Sequence, residues 1–95
     1  MVERKTYRIS SLEEKHLMSM LMYLREKGPS RKTDIYDAVS TNPRMTLKVE
    51  RLEAMGLIST EYNNALRSTV VTLTEEGRQV ADHLAAVDSI LTSIQ

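Results

Sequence analysis

Residues 42–58 read NPRMTLKVERLEAMGLI, a short basic helix with both ends marked. Asn42 is a helix-capping residue, and Pro43 follows at the first helical position, where its missing N–H costs nothing. Met45, Val49, Leu52 and Met55 recur at four, three and three residues and so share one face of a helix over 43–55. Gly56 suits the left-handed position that ends such a helix. Arg44, Thr46, Lys48 and Arg51 are assigned to the opposite face. A helix with one apolar side to dock and one cationic side to offer matches what the major groove of DNA accepts.

The chain on both sides of this helix supplies a frame for it. Ser11-Leu12-Glu13-Glu14 is a capping-box pattern, so a first helix is expected from Ser11 to about Lys27, stopped by Gly28-Pro29. Leu17, Met20, Leu21 and Leu24 form its apolar stripe. Met18, Met22 and Tyr23 widen that stripe beyond one face, which calls for cover on more than one side. Ser30 is expected to cap a second helix with Ile35, Ala38 and Val39 inward, and Ser40-Thr41-Asn42 turns the chain into the basic helix. Helix, tight polar turn, helix is the helix-turn-helix arrangement.

Beyond Gly56 the period changes. Leu57–Tyr62 and Ser68–Leu73 read as two strands around a short loop that begins at Asn63-Asn64, residues that tolerate positive φ. Thr74 then caps a last helix with Glu75 and Glu76 in its first turn, where the helix dipole favours acid. Val80, Leu84, Val87, Leu91 and Ile94 are spaced four, three, four, three along it, a short heptad seam. The expected division is a basic arm or short strand over 1–10, a helix-turn-helix unit with hairpin over 11–73, and a long C-terminal helix over 74–95.

Composition narrows the function classes. Ninety-five residues make one small domain with a modest core, to which a second subunit can add. Thirteen basic residues balance thirteen acidic ones, which argues against a strongly basic coat for nucleic acid. The charge is uneven: Arg4, Lys5 and Arg8 face only Glu3 near the start, whereas Arg78 stands against Glu75, Glu76, Asp82 and Asp88 on the last helix. The absence of cysteine removes disulfides, thiolate metal sites and a thiol nucleophile. His16 and His83 make a poor zinc site without further ligands, so no metal or cofactor is expected. No serine, histidine and aspartate spacing recommends a nucleophile beside a base, and three glycines supply no phosphate loop, so an enzyme is not expected. No apolar run approaches the ~20 residues of a membrane span, and residues 1–10 do not look like a signal peptide. The expectation is a cytoplasmic protein without membrane partners.

Two phrases add a resemblance. LEAMGLI, Leu52 to Ile58, resembles the end of the recognition helix and the first wing strand of MarR- and PadR-type regulators. LTEEGRQVADHL, Leu73 to Leu84, resembles the second wing strand running into the closing helix of the same families. Together they cover the order of elements over about residues 12–84. The resemblance implies a winged helix-turn-helix fold, mainly α with a small β-hairpin (α+β) and a long C-terminal dimerisation helix. It implies a homodimeric transcription regulator on palindromic double-stranded DNA, with repression by occlusion as the default outcome. By position it puts Arg44, Thr46, Leu47, Lys48 and Arg51 toward the groove, Ser30, Arg31 and Lys32 near the DNA backbone, and Arg67 on the wing. The dimer interface would draw on Met18, Met22, Val80, Leu84, Val87, Leu91 and Ile94.

A rival reading keeps the fold and changes the partner. Zero net charge, a wing with the single cation Arg67, and Leu47 on the groove face suit a winged-helix module that binds protein, or a subunit of a larger assembly. A third reading places a small-molecule effector between the first and last helices, against Met18, Met22 and Tyr23.

Overall fold

The computed structural model describes residues 7–94. A 3-10 turn, Arg8–Leu12, leads to helix α1, Leu17–Lys27. A two-residue strand β1, Ser30–Arg31, precedes α2, Lys32–Val39, and α3, Met45–Ala54. The hairpin β2, Ile58–Asn63, and β3, Ser68–Leu73, then runs into α4, Glu75–Ser93. The sheet is antiparallel with β3 in the centre. Ser30 pairs with Val71 on one edge, and Thr60 pairs with the same Val71 on the other. The expected hairpin is present, with a third short strand beside it. The fold is therefore α+β, four helices and a small sheet.

Leu17, Met20, Leu21 and Leu24 of α1 lie at the centre of the core, with Ile35 of α2, Met45, Val49 and Leu52 of α3, Val71 of β3 and Ala81 of α4. Full burial of a side chain of this size contributes about 1.5–3 kcal/mol, so the ridge of α1 is the main apolar support of the other three helices. Ala38, expected inward on α2, is exposed, and Val39 is half-buried. Among the described residues no helix is long and apolar enough to cross a membrane.

The first helix begins six residues later than the SLEE pattern suggests. Ser11 Oγ donates to the Arg8 carbonyl at 2.6 Å inside the 3-10 turn, so it caps nothing. His16 takes a left-handed conformation at φ 78°, which separates that turn from α1. Ser30 likewise does not cap α2: it lies in β1, buried, and its hydroxyl donates to the Gly28 carbonyl at 2.8 Å. Of the arm expected over residues 1–10, the first six lie outside the described residues, and Arg8–Ser10 belong to the 3-10 turn rather than to a strand.

The end of α3 and the start of α4 form one joint. Gly56, at φ 79°, donates its amide to the Glu53 carbonyl, and Leu57 donates to Leu52, the pair of bonds of a Schellman stop. Thr74 then closes on the same segment. Its amide donates to the Leu57 carbonyl at 3.1 Å and its hydroxyl donates to the Gly56 carbonyl at 2.6 Å. The same hydroxyl accepts the Gly77 amide at 3.0 Å as the cap of α4. Gly77 packs directly on this joint, and a Cβ there would stand 1.8 Å from the Leu57 carbonyl oxygen. Thus α3 is held at a set angle to α4 by hydrogen bonds between backbone and caps.

Candidate nucleic-acid interface

Helix α3 shows how one sequence period makes both a seat and a surface. Met45, Val49 and Leu52 are buried, while Arg44, Thr46, Leu47, Glu50 and Arg51 are exposed. The entry turn is fixed by side chains: Asn42 Oδ1 accepts the Arg44 amide at 2.8 Å, and Ser40 Oγ accepts the Asn42 amide at 3.1 Å. Asn42 thus fixes the entry turn and does not cap the helix itself: α3 starts at Met45 with Arg44 at its N-cap position and no side-chain cap, and Pro43 lies in the turn rather than at the first helical position. Arg44 makes no ion pair among the described residues and stands at the exposed head of α3.

Lys48 is the main departure from the expected surface. It is buried, with only 9% of its surface exposed. Its Nζ donates to Glu14 Oε2 at 3.2 Å and to the Lys15 carbonyl at 2.8 Å. Arg51 pairs through Nη1 with the other oxygen of Glu14 yet keeps an exposed guanidinium. Arg44, Leu47, Lys48, Arg51 and Glu14 together line one shallow depression on this side of the helix. Nothing in the sequence points to Glu14 or Tyr36 as part of this surface. The Tyr36 hydroxyl lies 3.4 Å from Thr46 Oγ1 and links α2 to the outer face of α3. The signal for Lys48 is present in the spacing, since it lies three residues after Met45 and four before Leu52, inside the apolar stripe.

At the start of α2, Arg31 folds over Asp34. Its Nε and Nη2 donate to the two carboxylate oxygens at 3.0 and 2.9 Å, and its amide reaches Oδ2 at 3.4 Å. The hydrogen bond from Arg31 is the main reason that the Asp34 carboxyl is held below the usual aspartate range, and Asp34 in turn raises Arg31. A depressed carboxyl adds stability above its unfolded value and loses it as pH falls through the folded one, so this pair belongs to the neutral state. Lys32 is half-buried beside it. At the other edge, Arg67 sits in the hairpin loop in a left-handed conformation at φ 51°, exposed beside an exposed Leu66.

No family model matches the chain, and no curated protein matches it in sequence. Solved structures do match. A probable transcriptional regulator from Pseudomonas aeruginosa is 26% identical with a TM-score of 0.71, over 83% of this chain and 61% of that one. A transcriptional regulator homologue from Pyrococcus horikoshii is 18% identical with a TM-score of 0.68, over 92% of this chain and 96% of that one. Reduced AbfR bound to DNA, AbfR being a protein of Staphylococcus epidermidis, is 21% identical with a TM-score of 0.64, over 80% of this chain and 58% of that one. The chain has the winged-helix fold of transcriptional regulators. It spans 61% of the length of the Pseudomonas protein.

In the winged-helix frame, α2, its turn and α3 are the helix-turn-helix, and β2 with β3 is the wing. Arg44, Thr46, Leu47 and Arg51 share the exposed side of α3. Arg67 lies at the wing tip. Ser30 and Lys48 lie inside, and Arg31 is turned onto Asp34. The long helix divides its own seam: Val80 and Leu84 pack on the core, whereas Val87, Leu91 and Ile94 are exposed, joined by Ile90.

Proposed function

We propose that this chain is a DNA-binding transcriptional regulator that acts as a homodimer and represses by occluding its site. The observation that carries the reading is α3 itself, seated by Met45, Val49 and Leu52 and open on the side that bears Arg44, Thr46 and Arg51. In this reading Arg44 and Arg51 meet bases or phosphates in the major groove, and Leu47 meets a thymine methyl. Lys32 and Arg67 supply backbone contacts that position the domain. Lys48 works from beneath, as the buried cation that ties α3 to Glu14. Regulator neighbours, one of them solved on DNA, support the reading.

The dimer rests on uncovered apolar surface. Val87, Ile90 and Leu91 of α4, and Ile94 just past its end, are each more than half exposed, and Ile94 reaches 74%. A cleft of about 520 Å³ continues this surface past Leu84 to Met18, Met22 and Tyr23 of α1. Soluble proteins rarely leave contiguous apolar surface of this kind uncovered. A second copy covering α4 and the flank of α1 also accounts for the cleft that the effector reading would assign to a small molecule. Leu47 and Leu66, both exposed, are the features that favour a protein partner for the winged helix instead.

Light scattering separates these readings. The expected mass is that of two chains, rising by one duplex on addition of DNA. Aspartate at both Ile90 and Leu91 should give a folded monomer, because neither side chain belongs to the core. Leu84 is unsuited to this test, since it packs on the core of its own chain. An unchanged mass in the double variant would send α4 back to a role within one chain, and no mass gain with duplex would favour the protein partner.

A further inference from the structure

Glu14 lies outside the helix-turn-helix, in the tight turn between the 3-10 segment and α1, where its carbonyl accepts the Leu17 amide at 3.3 Å. Its carboxylate nevertheless reaches α3 and divides between two cations one helical turn apart. Oε2 takes Lys48, and Oε1 takes Arg51. The two cations differ in freedom. The Lys48 side chain is 11% exposed and has a second bond to the Lys15 carbonyl, so its ammonium stays in place. The Arg51 side chain is 59% exposed and offers further N–H groups to solvent. A DNA phosphate is an anion of the same kind as the carboxylate, and arginine meets either one through charge-assisted bonds.

We propose that Glu14 is an internal competitor for DNA phosphate, holding Arg51 so that the duplex backbone gains this cation only by displacing the carboxylate. The idea rests on the DNA-binding reading of α3. In the free protein the Glu14, Lys48 and Arg51 group carries one net positive charge instead of two. The outward field of α3 is correspondingly weak, in keeping with the zero net charge of the chain. Random sequence, which offers phosphate alone, recovers little when Arg51 leaves Glu14. A guanine placed under Arg51 offers bidentate O6 and N7 contacts and recovers more. Glu14 therefore lowers indiscriminate binding more than site-specific binding. It is a positioning residue that acts through Arg51.

The test is fluorescence anisotropy with a random-sequence duplex between ~50 and ~200 mM salt, on the wild type, Glu14→Gln, and Glu14→Gln with Lys48→Met. Glutamine keeps an acceptor for Lys48 and removes the charge. The double variant restores the net charge of the wild type and replaces the buried pair by neutral groups, which is often tolerated. Both variants are expected to bind random duplex about three- to fivefold more tightly at ~50 mM salt, the gain that release of a largely solvated pair allows. The slope of log K against log salt should steepen by about 0.9 for each additional phosphate that the protein neutralises. A purely structural role for Glu14 would instead lower the melting temperature and weaken binding together. Folded variants that bind no better than a wild type that does bind would overturn this proposal and leave the DNA reading standing. Failure of all three proteins to bind at ~50 mM salt would overturn both.

Discussion

Glutamate at both Arg44 and Arg51 is expected to lower affinity for duplex DNA at least about a hundredfold while leaving the fold intact. Each arginine bonded to a phosphate or base edge contributes about 1.5–3 kcal/mol as a hydrogen bond to a charged group, and the new carboxylates add repulsion. The fold should tolerate the change because both side chains are exposed. Arg44 has no ion pair among the described residues, and the Arg51–Glu14 pair is a largely solvated one whose loss costs about 1 kcal/mol or less. The same reversal at Lys48 is a different experiment. It would place a carboxylate in a buried site against Glu14, where an uncompensated charge costs about 3–5 kcal/mol, so lost binding would report unfolding. The pairing of Arg44 with Arg51 thus separates recognition from stability. Affinity retained within about threefold, with an unchanged melting temperature, would remove α3 from the interface.

A large effect on stability, with no change of charge, is expected when Gly77 is replaced by alanine. An added methyl group would lie 1.8 Å from the Leu57 carbonyl oxygen, which is backbone and cannot swing away. That carbonyl also accepts the Thr74 amide, so the shift needed to admit alanine loosens the cap of α4 and the stop of α3 together. Alanine gains about 1 kcal/mol in helix propensity over glycine, but overpacking against a fixed backbone costs about 3 kcal/mol or more. A net loss of about 2 kcal/mol lowers the melting temperature by roughly 8–16 °C in a domain of this size. Thermal unfolding followed by circular dichroism checks it, with the exposed neighbour Arg78→Ala as the control expected to move little. Alanine tolerated at Gly77 without a shift would show that the two helices are not clamped there.

This joint explains why the fold is legible in two short phrases. LEAMGLI contains the Schellman stop of α3, and LTEEG contains the cap and the close-approach glycine of α4. They meet through the peptide groups of Gly56 and Leu57. Local signals of this kind, a capping oxygen or a left-handed glycine, act within a few residues and can be read without knowing the partner element. The failures share the opposite cause. Ser11 with Glu14 has the form of a capping box, yet Glu14 is taken by Lys48 and Arg51, 34 and 37 residues away, and the helix starts at Leu17 instead. Ser30 belongs to a strand of two residues, too short to show any period, and exists because β3 offers it an edge. The charge of Lys48 suggests the surface, although its spacing puts it among Met45, Val49 and Leu52. The candidate surface is therefore legible at Arg44, Thr46, Leu47 and Arg51. The neighbours that modify it, Glu14 and Tyr36, come from elements whose approach to α3 only the tertiary fold reveals.

The central claim is that the open side of α3, with the wing, holds the DNA backbone and reads the groove. Its most direct test is the affinity of the unmodified protein for random-sequence duplex DNA as salt is raised from ~50 to ~200 mM. Arg44, Lys32 and Arg67 from each of two chains amount to roughly six phosphate contacts, which predicts an affinity falling linearly on logarithmic axes by about 10³ over that range. No binding at ~50 mM salt, or binding that salt leaves unchanged, would contradict it.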